Sequence, residues 1–393
     1  MTNQIKILIG IFLIIILIGA FYIYNKILIP EKPIIPEKLT PEKPAISPER
    51  VSPKLNVSTP SALEIAAYKS LSFNFSIENE QGYSEAKDVN VTLTLGETPI
   101  LVTPNNVNIG SGELQNFKAE LNKIPPGDFN LYLKIKGQPD ISISKTILVK
   151  SQIVVGIDGY HTYGYYGPGS IWKEKFECGN HNLCTGRNYA FVKNLNENNI
   201  KTTIIESPLS FEILKDINTF IILAPDINRP LSSNEIIELK KFLNNNGGLL
   251  LIAPQYYTHN GDKNCITNLI DLIKSLHLEI KEFTLRYPPV GLYTTEEEWT
   301  KEITQHPVTS GIEEILYDGV FTFEVEVPLI SLVKLHGSTI YAIQYYSKGK
   351  IGIIGSDSVL RYGERCHQCQ ELNLNLIKWL VTPPTSKELE ELG

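Results

Sequence analysis

Phe220-Ile-Ile-Leu-Ala-Pro-Asp226, Leu231-Ser-Ser-Asn-Glu235 and Phe242-Leu-Asn-Asn-Asn-Gly-Gly-Leu-Leu-Leu-Ile-Ala-Pro254 decide the fold of this chain. The first is a continuous apolar run of strand length that ends in a turn signal. The second is a capping box: the Ser232 hydroxyl and the Glu235 carboxylate each satisfy a free amide at a helix start. Ile236, Leu239, Phe242 and Leu243 follow at helical spacing, Gly247-Gly248 is expected to stop the helix, and Leu249–Ala253 forms the next strand. Apolar strands flanking an amphipathic helix indicate a parallel sheet buried on both faces. Ligands of such sheets sit beyond the carboxyl ends of the strands.

Outward from that unit, the 393 residues have room for two or three domains. With 36 basic against 43 acidic residues and no basic block outside a mixed-charge tether, the chain lacks the electrostatic footprint of nucleic-acid binding. Ile7–Tyr24 is uncharged and long enough to cross a bilayer as a helix, with Tyr22 and Tyr24 at its end where amphipathic rings favour the interface. Residues 1–26 are therefore expected to be a single-pass membrane anchor, uncleaved because no small-x-small cleavage pattern follows.

Residues 27–53 repeat one theme, Pro30-Glu-Lys-Pro33, Pro36-Glu-Lys38, Pro41-Glu-Lys-Pro44 and Pro48-Glu-Arg50. Frequent proline favours polyproline II, and at ~3.1 Å per residue the stretch from Pro30 to Pro53 could extend roughly 70 Å. Lys6, Lys26 and Lys32 flank the span on both sides and leave its orientation undecided. Sequons at Asn56, Asn74 and Asn90, paired cysteines and a stand-off spacer together place the bulk of the chain outside the membrane.

Residues 54–150 alternate at period two, as in Leu71–Ile77, Val89–Leu95, Phe129–Ile135 and Ile141–Ile147, separated by Gly96, Pro104-Asn-Asn106 and Pro125-Pro-Gly127. Short alternating strands at regular spacing indicate an antiparallel β-sandwich. The Pro-Pro-Gly-Asp-Phe entry to a strand resembles immunoglobulin-like modules of microbial surface proteins. No Cys, His or carboxylate cluster falls here, so spacing or adhesion is the expected role.

Residues 151–383 read as a three-layer α/β domain with a mostly parallel sheet, followed by a polar tail at 384–393. Gln152–Ile157 is a buried strand leading to Asp158-Gly-Tyr-His161, a helix spans about 187–197, a strand 201–205, and the last helix Leu372–Val381. Five motifs carry a resemblance: Asp158-x-x-His161, Leu231-Ser-Ser-Asn-Glu235 into Phe242–Leu250, His306-Pro-Val-Thr-Ser-Gly311, Gly355-Ser-Asp-Ser358, and Asn375-Leu-Ile-Lys-Trp-Leu380. On these, the region resembles class I glutamine amidotransferase-like, flavodoxin-type domains, such as the auxiliary domains of some ABC transport systems and the intraflagellar-transport subunit domain. Catalytic members carry a cysteine at a tight strand-to-helix elbow. The corresponding strand here runs into Pro254-Gln-Tyr-Tyr257 without one. Cys265, further on, is expected to be a core residue. The resemblance therefore implies the fold without amide hydrolysis.

Parallel topology should gather Asp158, Tyr160, His161, Glu206, Asp226, Gln255, Tyr256, Tyr257, His259, Ser356, Asp357 and Arg361 at the carboxyl edge. Asp158 and His161, three apart, could bind a metal or act as an acid–base pair, or Asp158 could cap a turn and Asp357 bond loop amides. Tyr160, Tyr163, Tyr165 and Tyr166 could stack on sugars or cover a sheet edge. Cys178 and Cys184 flank His181 after the first strand, and Cys366 and Cys369 flank His367 after the last. Disulfides within or across these loops compete with a zinc ion held by the four cysteines or a Cys/His mixture. No other cofactor is called for.

Three functions stay open. One is a surface protein that binds a ligand, such as a glycan, or a protein partner without catalysis. Another is a glycan or peptide hydrolase using Asp158, His161 and Asp357. The third is an architectural subunit of an envelope or transport assembly.

Overall fold

A computed structural model describes residues 51–390 apart from 163–169, 178–182, 185, 187, 227, 255–261, 287–297, 318–319 and 362–364. The expected anchor and nearly all of the tether lie outside the described residues, among which no helix is long and apolar enough to cross a membrane. The structure is multidomain and β-rich, an antiparallel sandwich followed by a mixed α/β region.

The sandwich is built from β1 (Leu55–Ser58), β2 (Ala62–Ala66), β3 (Ser70–Asn79), β4 (Ala86–Leu95), β5 (Thr98–Thr103), β6 (Asn106–Ile109), β7 (Leu114–Asn122), β8 (Gly127–Gln138) and the first part of β9 (Ile141–Asp158). One sheet joins β1, β3 and β7; the other joins β6, β4, β8, β9 and β2, while β5 pairs with both β4 and β7. Period-two alternation puts Phe73, Phe75 and Ile77 of β3 against Val89, Val91 and Leu93 of β4, and Phe75 stacks on its cross-strand partner Phe117 at 5.2 Å. Each such buried side chain contributes roughly 1.5–3 kcal/mol relative to exposure.

β9 is the spine of the molecule. Its burial alternates up to about Ser151 and is continuous from Val155 to Asp158, so one strand changes from an antiparallel to a parallel environment. The sequence pattern reads these as two strands, 141–147 and 152–157; the ladder runs through both. On one flank β8 pairs with Ile141–Ser151, and β12 (Ile200–Ile205) continues alongside Ile153–Asp158. On the other flank β2 pairs with Leu148–Gln152, and β13 (Thr219–Leu223) continues alongside Val155–Ile157.

Asn218 fills the break between β2 and β13. Its side-chain oxygen accepts from Val154 N at 2.8 Å, and its amide nitrogen donates to Ala67 O. Its backbone N donates to Val154 O at 2.8 Å. At 2% exposure this side chain stands where a strand's own backbone would otherwise complete the ladder.

Two short hairpin partners, β10 (Phe176–Glu177) and β11 (Leu183–Cys184), precede β12. β14 (Gly248–Ile252) follows β13. β15 (Ile280–Arg286), β16 (Glu298–Thr300), β17 (Glu302–Ile303), β18 (Ile315–Tyr317), β19 (Val320–Val325), β20 (Ile330–Leu335), β21 (Ser338–Tyr346) and β22 (Gly349–Ile354) complete the strands. The parallel part of the sheet runs β12-β9-β13-β14-β22, the 2-1-3-4-5 order of flavodoxin-type sheets. β22 then pairs antiparallel with β21, β21 with β20, and β20 with β17, so the sheet is mixed beyond its parallel half. β15 pairs with β19, and the small β16–β18 ladder stands apart.

The helices are α1 (Tyr189–Glu197), α2 (Phe211–Leu214), α3 (Ser233–Asn244), α4 (Asp262–Ser275), α5 (Ser358–Arg361), α6 (His367–Val381) and α7 (Ser386–Glu390). Successive strand residues point to opposite faces, which gives two cores. Ile221, Leu223, Leu250 and Ile252 pack with Leu195 of α1 and Leu372, Leu376 and Ile377 of α6. Phe220, Ile222, Leu249 and Leu251 pack with Leu239, Phe242 and Leu243 of α3 and Leu269 and Leu272 of α4.

Two helix ends differ from expectation. α6 starts five residues earlier than Leu372, at His367, because Cys366 caps it by accepting from Cys369 N. At the end of α3, Asn246 takes the left-handed conformation (φ 58°), a role that asparagine fills without glycine's help. Gly248 serves close packing instead: a Cβ there would stand 2.7 Å from both Leu380 O and Thr219 Oγ1.

Gly355 is tighter still, since an added Cβ would lie 2.0 Å from Phe321 O, where Phe321 N donates to Gly355 O at 2.8 Å. Gly355→Ala should therefore push β19 away from the end of β22 and cost about 1–3 kcal/mol in denaturant unfolding. A cost near zero would mean that the β19 backbone moves freely there.

Candidate functional site at the carboxyl edge

β9 ends at Asp158, and the carboxylate folds the following loop onto itself. Asp158 Oδ1 accepts from Tyr160 N at 3.1 Å and His161 N at 3.0 Å, the local turn that aspartate favours. The same carboxylate holds the His161 ring, with Oδ2 3.1 Å from Nδ1. On the other side of the imidazole, Nε2 lies 3.0 Å from Glu235 Oε1, within ion-pair range but not aligned as a hydrogen bond.

Glu235 is held in turn by α3. It accepts from Ser232 N at 2.9 Å and Ser232 Oγ at 2.7 Å as the second half of the capping box, and from Leu209 N at 2.8 Å. The capping residue thus joins three segments: the loop after β9, the approach to α2 and the start of α3.

These groups are closed in. Asp158 is 0% exposed, His161 1% and Glu235 8%. Burial works against charge on His161, but the hydrogen bond and charge of Asp158, together with Glu235, outweigh it and raise the imidazole above its ordinary 6.5. Burial of Glu235 likewise opposes its charge, yet the amides of Ser232 and Leu209, the Ser232 hydroxyl and His161 hold it below 4.5. A general base needs a ring nitrogen directed at a substrate. Both nitrogens of His161 face carboxylates of its own chain, so the geometry is that of an internal staple.

Asp226 and Tyr160 belong to the same neighbourhood. Asp226 N donates to His161 O at 2.7 Å, its carboxylate accepts from Asn228 N at 2.7 Å, and Thr162 bridges to Pro225. Arg229 donates to Tyr160 O at 3.3 Å with its guanidinium 5.8 Å from the Tyr160 ring. Asn268 of α4 ties the Asp226 carbonyl down at 2.8 Å.

Ser356 and Asp357 form a second buried group at the end of β22. Ser356 Oγ accepts from Ser358 N at 3.1 Å, and Asp357 Oδ2 accepts from Asn188 Nδ2 at 3.3 Å. Arg361 is half-buried at the end of α5, and its Nε has no hydrogen-bond partner among the described residues. Glu206 is drawn to Lys173 by an ion pair on the surface. Asp158 and His161 are therefore brought together, while Asp357 is engaged with Asn188.

Gln255, Tyr256, Tyr257, His259, Tyr163, Tyr165, Tyr166, His181 and Cys178 lie outside the described residues. Cys184 falls on β11 and Cys265 on α4. At the elbow position, β14 runs into buried Ala253 and Pro254, neither of them a nucleophile.

Cys366 and Cys369 form a disulfide between the N-cap and the first turn of α6, with Cα atoms 5.2 Å apart. Cys178 lies outside the described residues, so the linkage expected between Cys178 and Cys184 has no counterpart to set beside it. Among the described residues no group of three or more His, Cys, Asp or Glu side chains is placed to hold a metal ion.

Asn188, Thr162, Arg229 and the second role of Glu235 escape a reading of the sequence. Only Glu235 carries a local signal, and that signal is fully accounted for by helix capping.

No protein-family model matches the chain, and no curated protein matches it in sequence. Among solved structures, 59% of the chain is similar to the whole of the cytoplasmic protein STM3548 of Salmonella typhimurium, at 14% identity and a TM-score of 0.42. A second cytoplasmic protein of the same organism, STM1381, is similar over 58% of this chain and 99% of its own, at 13% identity and a TM-score of 0.41. A CARDB domain from Pyrococcus furiosus is similar over 25% of this chain and 89% of its own, at 15% identity and a TM-score of 0.21.

Proposed function

We propose that this chain is a membrane-anchored, extracytoplasmic recognition protein whose α/β domain binds a ligand or protein partner without chemical turnover. The observation that carries the reading is the engagement of the acid and base groups at the carboxyl edge with one another. Hydrolysis through Asp158, His161 and Asp357 would require substrate to reach groups that are 0%, 1% and 0% exposed. Amide hydrolysis would require a nucleophile at the elbow, where Ala253 and Pro254 stand.

The remaining support is of a different kind. The uncharged run Ile7–Tyr24 and the proline-rich tether suit a stand-off from a membrane. The sequon residues Asn56, Asn74 and Asn90 are all exposed on the sandwich, as a glycan acceptor has to be. The continuous β9 couples the sandwich to the α/β domain. The architectural reading draws on the same burial at the described edge, since loops packed there leave those groups nothing to receive. The two readings separate by whether a soluble ligand binds the purified protein.

Protease added to intact cells should remove everything beyond a short anchor. The purified full chain should turn over neither glutamine nor peptide and glycan substrates, and Cys265→Ala should leave its binding unchanged. Protection of the α/β domain in intact cells would overturn the topology. A turnover abolished by Asp158→Asn in a folded variant would overturn the non-catalytic reading.

A further inference from the structure

At the opposite, amino-terminal edge of the sheet, Lys350 is a buried ammonium with unusual company. It is the second residue of β22 and only 2% exposed. Its Nζ lies 4.5 Å from the centroid of the Trp379 ring and 5.3 Å from that of Tyr345, and donates to Trp379 O at 3.2 Å. Among the described residues no carboxylate oxygen lies within ion-pair distance of it. An ammonium carries three donors, and among the described residues this one has the acceptor Trp379 O plus two ring faces. Burying a cation in that state is costly, and burial brings Lys350 down to about 8 although Glu388 opposes the change.

The ammonium borders a cavity of about 380 Å³, also lined by His306, Asn375, Lys378, Trp379 and Glu388. That volume is within the range of small-molecule sites. His306 stands edge-on to Trp379 with ring centroids 6.1 Å apart, so two aromatic groups and a buried cation meet at one hollow. Asn375 and Lys378 add a neutral amide and a second cation from the same turn of α6.

One wall is already occupied by a carboxylate. Glu388 of α7 accepts from Tyr345 OH and from Thr385 N. Burial works against its charge, but these bonds and Lys350 hold it at about 2. The pocket thus stabilises a carboxylate of its own chain at its rim, while the deeper ammonium has no carboxylate within ion-pair distance among the described residues.

We propose that this cavity is a binding site for a carboxylate-bearing saccharide of uronic-acid type, its carboxylate on Lys350 and its ring against Trp379 and His306. Aromatic rings offer the apolar face that sugar C–H groups pack on, and Asn375 with Lys378 supplies donors for ring hydroxyls. The site is separate from the carboxyl edge and goes beyond the function proposed above. If that function is wrong, this pocket is untouched.

The test uses the full chain in detergent, titrated with digalacturonate, the neutral disaccharide galactobiose and acetate, and followed by calorimetry and tryptophan fluorescence. Digalacturonate should bind at least tenfold more tightly than either of the others. Lys350→Met, a change of similar volume that removes the buried charge, should weaken digalacturonate at least tenfold while leaving the far-UV circular dichroism intact. Glu388→Gln should tighten it, because a competing negative charge is lost. Absence of digalacturonate binding would overturn the proposal. So would equal binding of galactobiose or acetate, or full affinity in Lys350→Met.

Discussion

Asp158→Ala is expected to destabilise the protein by about 3–5 kcal/mol, the range for removing one partner of a buried ion pair. The change takes away the acceptor for Tyr160 N and His161 N and leaves the buried imidazole facing Glu235 alone. Glu235→Gln should cost less, because its one carbonyl oxygen still accepts from either the Ser232 or the Leu209 amide, which bond different carboxylate oxygens, and only the other is lost. Urea unfolding of the two variants beside the parent would measure both. A loss below about 1 kcal/mol for Asp158→Ala would mean that the loop after β9 is held by something else.

Asn218→Ala should cost about 2–4 kcal/mol, since it leaves Val154 N and Ala67 O without partners at the buried junction of sandwich and α/β domain. The expected phenotype is more than a fall in stability. With its plug removed, the collinear arrangement of β2 and β13 along β9 loses the group that spans the gap. Amide exchange at Val154 should then accelerate well before exchange in the sandwich core. Unchanged protection at Val154 would show that backbone pairing of β9 with β12 alone maintains the junction.

How far the fold was legible depended on how local its causes are. The Ser232–Glu235 capping box and the period-two strands of the sandwich are written in neighbouring residues, and the structure has them. β9 was not legible as one strand, because its residues change from alternating to continuous burial as its neighbours change from antiparallel to parallel. A period reports the environment of a strand, and two environments read as two strands. The antiparallel half formed by β20 and β21 gave no clear signal for a related reason. Ile340, Tyr341, Ala342 and Ile343 are all buried, so no alternation marks the strand as antiparallel.

At the candidate site, Asp158 and His161 announced themselves by their place after a buried strand. That their charge is answered by Glu235 could not be read, because the contact depends on how α3 lies over the sheet. The Asn218 bridge is hidden in the same way: an asparagine before a strand looks like an ordinary turn residue. Lys350 is the least legible of all, since a lysine at a strand start reads as a solvated edge.

Titration of His161 in the folded protein tests most directly whether it is a cation stapled between two carboxylates. The folded-state value stands above 6.5, so its stabilising contribution is complete below pH 6.5 and is lost as pH rises through the folded value. Glu235 acts in the other direction, its contribution present above pH 4.5 and lost as pH falls through its lowered folded value. The two together should give a plateau of stability between about pH 4.5 and 6.5. Imidazole nitrogen shifts followed by NMR should show His161 titrating above 6.5, and the plateau should lose its alkaline edge in His161→Gln. An imidazole that titrates at or below 6.5 would contradict the staple and return His161 to the list of candidate bases.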